Sequence, residues 1–320
     1  MDERADLEAP EPSARLEEAT QPPVMLGAAG EYFFHYTSAD VAFSHILPSA
    51  KIRMSPYPQM RDPTESKDWR FTTDNAQMGP VAKAVEGSLN GIRARATLLS
   101  LAVDAEGYQQ DAVAPFGRGY ARARMWEQYA DNHAGVCLCF ARQDFELQMR
   151  AELGKTVGPC GPVRYTSGGP AVSPARRLLL GDFAERVAAA KHDVAQQRED
   201  LGRPPTEQEA EALSNEVIDM LASAITERVT NHVLAHLDDL LLLKTDDWRS
   251  EHEYRFVSVQ VEPGFRFVPY GDTLRAVIVG ERFPAWQVAG AELACMDSGA
   301  ELRRLDWRGG FPSPRPLGWV

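Results

Sequence analysis

Hydrophobic positions along this chain fall into short runs with two different rhythms. Residues 32–37 are aromatic and β-branched, which predicts a strand. Thr37 or Ser38 can then cap a short helix in which Phe43, Ile46 and Leu47 share one face and which Pro48 ends. Residues 50–55 read as a second short strand, and the Pro-rich polar stretch 56–66 as a loop. The apolar run 96–103 predicts a buried strand. Residues 121–135 predict a short helix stopped by Gly135, with a strand following at 136–140.

Between about 174 and 243 the period lengthens. Leu213, Val217, Leu221, Ile225, Val229, Val233 and Leu237 recur every four residues, forming one face of an amphipathic helix. Thr206-x-x-Glu209 is a capping box that opens this helix, and Gly202-Arg203-Pro204-Pro205 separates it from an earlier helical stretch. The pattern predicts a long helical hairpin inserted between two strand-rich parts. Beyond it, strands are expected at about 251–261, 265–268, 274–279 and 301–306. Strand-rich ends around a helical middle give an α+β domain, since the regular strand–helix alternation of a doubly wound fold is missing. Residues 1–29, acidic and proline-bearing, are expected to be a disordered leader, and residues 30–320 a single domain.

Composition narrows the function classes. Hydrophobic residues make up 44% and charged residues 25%, which is ordinary globular usage. Mean hydropathy is −0.35, and no apolar run approaches the ~18 residues of a spanning helix. The N-terminus is acidic where a signal peptide would be basic. Four cysteines without a disulfide spacing point to a reducing, cytoplasmic setting. The net charge of −12 argues against duplex nucleic acid as a partner, but leaves room for a small nucleotide or a single strand in a local basic groove. Neither G-x-G-x-x-G nor G-x-x-x-x-G-K-[ST] occurs, which removes the two common phosphate-loop mechanisms.

Several clusters have residue types suited to chemistry. His35-Tyr36-Thr37 ends an apolar strand, where a histidine could orient a hydroxyl and a tyrosine could stack on a flat ring. The plainer reading is a core histidine bonded to a backbone carbonyl. In a strand, Glu251, Glu253 and Arg255 point one way and His252, Tyr254 and Phe256 the other. That places two carboxylates where burial can tune them, or else on a solvated edge. Trp126 and Tyr129, with Arg118, Arg122 and Arg124 nearby, could meet a pyrophosphate or a base, or could simply anchor a helix. Met60-Arg61-Asp62-Pro63-x-Glu65 reads as a turn. His232 and His236 with Asp239 have ligand-like spacing but flank an apolar stripe and lack the glutamate of H-E-x-x-H, so no metal is expected. Cys137 and Cys139 read as small buried hydrophobes.

The order of these pieces carries more than any one of them. His35-Tyr36-Thr37, Ile46-Leu47, Ile52-Arg53-Met54-Ser55, Asp62-Pro63-x-Glu65, Leu99-Ser100-Leu101, Met125-Trp126-x-x-Tyr129-Ala130 and His133-x-Gly135-Val136-Cys137-Leu138 follow in turn. Val163-x-Tyr165, then Lys244 with Trp248-x-x-Glu251-x-Glu253-x-Arg255, complete the series. It resembles the bacterial domain-of-unknown-function family numbered 2971 over about residues 32 to 280. Arg61 stands where that family usually has Asn. A more distant resemblance, to the NAD-dependent ADP-ribosyltransferase superfamily, rests on the early His-Tyr-Thr strand and the late Glu-x-Glu strand. It implies a mixed or antiparallel β core and NAD as substrate. It also implies His35 on ribose, Tyr36 or Tyr129 stacking on nicotinamide, Glu253 as catalytic carboxylate and Glu251 as acceptor-side acid. Thr37, Arg53, Asp62, Glu65, Trp126 and Arg255 would be further substrate-binding positions. The acceptor would be a protein, a nucleobase, a small molecule or water, in a toxin or phage-defence setting. The competing expectations are a non-catalytic nucleotide-binding or interaction protein of a defence system, and a metal-dependent hydrolase or nuclease built on Asp62, Glu65, Glu251 and Glu253.

Overall fold

The computed structural model describes residues 26–67, 79–105, 115–167 and 237–317, with isolated positions between 189 and 235. Twelve strands occur among them: β1 Tyr32–Thr37, β2 Lys51–Pro56, β3 Ala96–Ala102, β4 Val136–Ala141, β5 Val157–Pro162 and β6 Arg164–Thr166 in the first half. The second half adds β7 Leu243–Thr245, β8 Glu253–Val259, β9 Arg266–Pro269, β10 Leu274–Val279, β11 Glu301–Arg308 and β12 Phe311–Pro316. Ten of these strands form one sheet of order β12-β11-β10-β4-β1-β3-β2-β9, with β8 pairing β3 and β5 pairing β8. Within it only the β10–β11 pair is parallel, while β6 and β7 make a separate parallel pair. The architecture is thus a mixed, mostly antiparallel sheet with helices packed on it.

Alternation explains why the central strands of the sheet are buried on both faces. Phe33, Val136, Leu138, Phe140, Leu99, Leu101, Tyr254 and Phe256 enter one apolar cluster, which the helices Arg142–Leu153 and Val288–Ser298 help to cover. Phe34, Tyr36, Ala102, Cys137, Cys139 and Ile278 enter a second cluster on the other face, packed with Trp126 of helix Ala123–Tyr129.

One irregularity decides where a ligand can go. β3 pairs β8 along its whole length, from Ala96↔Val259 to Ala102↔Glu253. Its other edge meets β1 at a single position, Phe34↔Ala102, and β2 at two, Ser55↔Leu98 and Pro56↔Thr97. Between those contacts the middle of β3 faces a gap where β1 and β2 splay apart.

Several expected boundaries shift. Ser38 does cap the first helix, its hydroxyl accepting from Val41 N at 3.2 Å. Pro48 does not end it, because a wide turn over Ala42–Ile46 places the proline at the start of the next helical turn, where a missing N–H is tolerated. The stop comes at Ala50, which is left-handed with φ 51°. The expected loop at 56–66 contains two helical turns, Tyr57–Gln59 and Pro63–Ser66. Leu26, assigned to the leader, is buried, and Arg118 donates to its carbonyl; residues 1–25 lie outside the described residues. The expected hairpin at 174–243 lies outside them too, apart from its end, helix Leu237–Leu241, and the isolated positions.

The helix expected to run to Gly135 ends at Tyr129, since Asp131, Asn132 and His133 all adopt positive φ. Gly135 acts by close approach: a Cβ there would lie 2.5 Å from Thr37 O and 2.7 Å from Ala130 C. Both are backbone atoms that cannot swing away. Gly135→Ala is therefore expected to cost about 2 kcal/mol or more, read as a lowered urea midpoint with an unchanged m-value.

Candidate functional site

A cavity of about 300 Å³ opens at the splay of β1, β2 and β3. Residues distant in sequence meet there: His35 and Tyr36 from β1, Arg53 and Ser55 from β2, Ser100 from β3, Arg61 and Glu65 from the β2–β3 connection, and Tyr129 from its helix. Lys244, Glu251 and Glu253 complete the wall.

The acidic side is a connected network. Arg255, fully buried, donates to Glu253 from Nε (2.6 Å to Oε1) and from Nη2 (3.1 Å to Oε2). Its Nη1 donates to Leu241 O at 2.9 Å and lies 2.6 Å from Glu65 Oε1. Lys244 Nζ donates to Glu251 Oε2 at 2.8 Å and to Glu253 Oε2 at 3.0 Å, 4.6 Å from the centre of the Trp248 ring. Tyr129 donates its hydroxyl to Glu251 Oε1 at 2.8 Å. Burial opposes the charge on Glu253, but Arg255 and Lys244 overcome it and hold its carboxyl down at about 2. Burial pushes the Glu65 carboxyl up, against the pull of Arg255. Lys244 is raised despite burial by the carboxylates around it, so it remains an ammonium. Three carboxyl groups thus meet Lys244 and Arg255. Lys244 Nζ also occupies the place between Glu251 and Glu253 that a bridging divalent ion would need.

The strand alternation expected for this segment holds within β8, where Tyr254 and Phe256 turn to the core and Glu253 and Arg255 to the network. Glu251 is not on the strand. It ends a 3₁₀ turn, Asp246–Glu251, and left-handed His252 (φ 43°) swings the chain into β8.

His35 sits across the cavity with Nδ1 3.4 Å from Ser100 O. A carbonyl only accepts, so Nδ1 carries the proton and Nε2 is an acceptor. Burial depresses the ring to about 4, from an ordinary 6.5, so it is neutral at pH 7. A His depressed on folding contributes stability that is complete above pH 6.5 and lost as pH falls from 6.5 to 4. Because the ring borders the cavity, about 2 kcal/mol is expected. His35→Gln should therefore flatten the stability–pH curve in that window, measured by urea titration at pH 4 to 7.

Other candidates are supporting or lie elsewhere. Tyr36 is buried, donates to Gly119 O at 2.5 Å and packs edge-on against Trp126 at 5.2 Å, so its ring is not free to stack face-on. Half-buried Tyr129 is the more available aromatic, with the Arg61 guanidinium over one face at 4.6 Å. Thr37, Asp62, Trp126 and Arg255 do not line the cavity; all four are buried. Of the three nearby arginines, Arg118 pairs Asp104 at 3.4 Å, Arg122 donates to Glu251 O and Val103 O, and Arg124 lies over Trp248. The His232, His236 and Asp239 side chains lie outside the described residues. Cys137, Cys139 and Cys295 are buried and Cys160 is half-buried, all as free thiols. Among the described residues no helix is long and apolar enough to cross a membrane.

With this geometry in view, the comparison with known families can be placed. Residues 125–256 match the model of one family, described as "Protein of unknown function (DUF2971)". The match takes in Tyr129, Lys244, Glu251, Glu253 and Arg255 and stops short of His35, Arg53 and Glu65. It is narrower than the 32 to 280 expected from the order of motifs. No curated protein and no solved structure matches the chain.

Proposed function

We propose that this chain is a cytoplasmic NAD-cleaving enzyme of the ADP-ribosyltransferase type, acting on the nicotinamide–ribose bond. The observation that carries the reading is the convergence of His35 from an early strand and Glu253 from a late one on a cavity formed where the sheet splays. At about 300 Å³ the cavity is at the small end of ligand pockets, a size suited to the nicotinamide–ribose half of a dinucleotide.

The chemistry follows from the charges. The bond from C1′ to the nicotinamide nitrogen breaks with its electron pair going to nicotinamide, which leaves neutral. The cationic ribose that remains is stabilised by the nearby carboxylate of Glu253, which Arg255 and Lys244 hold ionised at the cavity wall. A lone pair of water or another acceptor then bonds to C1′, and the acceptor's proton passes to Glu251 or solvent. Neutral His35 accepts a hydrogen bond from a ribose hydroxyl, and Tyr129 borders the leaving ring. The divalent-ion alternative is disfavoured by Lys244, whose ammonium already bridges Glu251 and Glu253.

The test is release of free nicotinamide from NAD by purified protein. Release by wild type but not by Glu253→Gln supports the reading. No release together with no NAD binding by calorimetry overturns it. His35→Ala is expected to raise KM about tenfold, with a smaller change in kcat, in the same assay.

A further inference from the structure

Next to the cavity the sheet carries a surface that NAD cleavage does not use. Phe267 is 61% exposed and Phe265 46%, two large rings within three residues at the end strand of the sheet order. Such a pair on an edge strand calls for a covering partner. The register places Arg53 directly opposite Phe267, on the same face, with its guanidinium 4.8 Å from the centre of the Phe265 ring. Exposed Lys51 follows on that face, about 7 Å further from the cavity along β2. Arg53 itself lines the cavity, so the patch and the cavity are continuous.

An apolar protein partner could cover the rings but would have to bury Lys51 and Arg53 against nothing of opposite charge. A chain of flat rings joined by phosphates satisfies both halves, with bases stacking on Phe265 and Phe267 and phosphates meeting the two cations. The patch also extends past the cavity mouth by about one nucleotide step, more than a mononucleotide would use.

We propose that the β2–β9 ribbon binds single-stranded nucleic acid and leads it to the cavity. Binding stands independently of the NAD reading. Only the consequence rests on it: a base nitrogen bonds to C1′ as nicotinamide leaves with the electron pair, and the base's proton goes to Glu251 or solvent. The strongly acidic chain as a whole repels a duplex, which confines binding to this local basic strip.

The test is fluorescence anisotropy of the full chain with labelled 12-nucleotide single-stranded DNA and RNA, without NAD. Binding is expected at low salt, with a log–log salt slope of about −1.4, as two cations on a single strand imply. Phe267→Ala, Phe265→Ala and Lys51→Glu should each weaken it by about fivefold or more. All three residues are exposed, so the thermal transition should not move, and nicotinamide release by Phe267→Ala should match wild type. Four outcomes overturn the proposal: no binding at low salt, binding indifferent to all three substitutions, AMP competing as well as an unlabelled oligonucleotide, or a Phe267-dependent self-association in its place. Oligonucleotide binding without nicotinamide release leaves this inference standing while the NAD reading falls.

Discussion

Arg255→Met is expected to destabilise the protein by about 3–5 kcal/mol, the largest loss from any single change at the site. The guanidinium is fully buried and meets three partners at once: it donates to Glu253 and Leu241 O and pairs with Glu65. Methionine keeps much of the volume but removes the guanidinium beside Glu65, and leaves Lys244 as the remaining cation on Glu253. Removing the stranded acid as well should recover part of the loss, so Arg255→Met with Glu65→Leu is expected to be less destabilised than the two single effects summed, by about 1–3 kcal/mol. Urea unfolding of the four proteins in this cycle measures the coupling; a loss below about 1 kcal/mol for Arg255→Met would refute the account of the network. The network also sets an acid limit. Glu253 is depressed to about 2 from an ordinary 4.5, so its contribution is complete above pH 4.5 and lost as pH falls toward 2. Glu65, raised by burial, acts in the opposite sense, its contribution being lost as pH rises through its folded value. The acid slope should therefore be shallower than Glu253 alone would produce, and steeper in Glu65→Gln.

Local periodicity made much of this site legible. The alternation in residues 253–257 correctly separates Tyr254 and Phe256 from Glu253 and Arg255, because a strand's two faces are written in consecutive residues. Seven of the residues singled out, His35, Tyr36, Arg53, Glu65, Tyr129, Glu251 and Glu253, line one cavity. Depth was harder to read. Trp126 and Arg255 have the right chemistry but lie beneath the surface, since burial is a property of the assembled sheet. Lys244 shows why contact partners stay hidden. It holds the two carboxylates together, yet it comes from a three-residue strand that, among the described residues, pairs with β6 and lies outside the large sheet. A signal was present in the run Leu240-Leu241-Leu242-Leu243-Lys244, a lysine closing an apolar stretch and followed by acids. Where such a lysine is buried, as Lys244 is, it needs anionic partners. The strand Phe311–Pro316 was hidden for a different reason. Its prolines argue against a strand until it is seen to be the end strand of the sheet order, where alternate N–H groups need no ladder partner.

Glu253→Gln is expected to lower kcat for nicotinamide release by about 10²–10³, the scale for losing one preorganised electrostatic group. Glu251 and Glu253 border the cavity, and Arg255 and Lys244 hold Glu253 ionised. Neutralising Glu253 removes a fixed negative charge where a cationic ribose would form. The substitution also strips a charge from a buried network, so a stability loss of about 1–3 kcal/mol should accompany it. Activity must therefore be compared well below both thermal midpoints. Glu251→Gln is the discriminating partner. Its amide can still accept from Tyr129, and its carboxylate hangs from a turn instead of the strand. Release of nicotinamide to water by Glu251→Gln should remain within about tenfold of wild type, with the larger defect in transfer to an acceptor. A greater loss of release in Glu251→Gln than in Glu253→Gln would exchange the two roles. Normal release by both would remove the carboxylates from the chemistry, and the NAD reading with them.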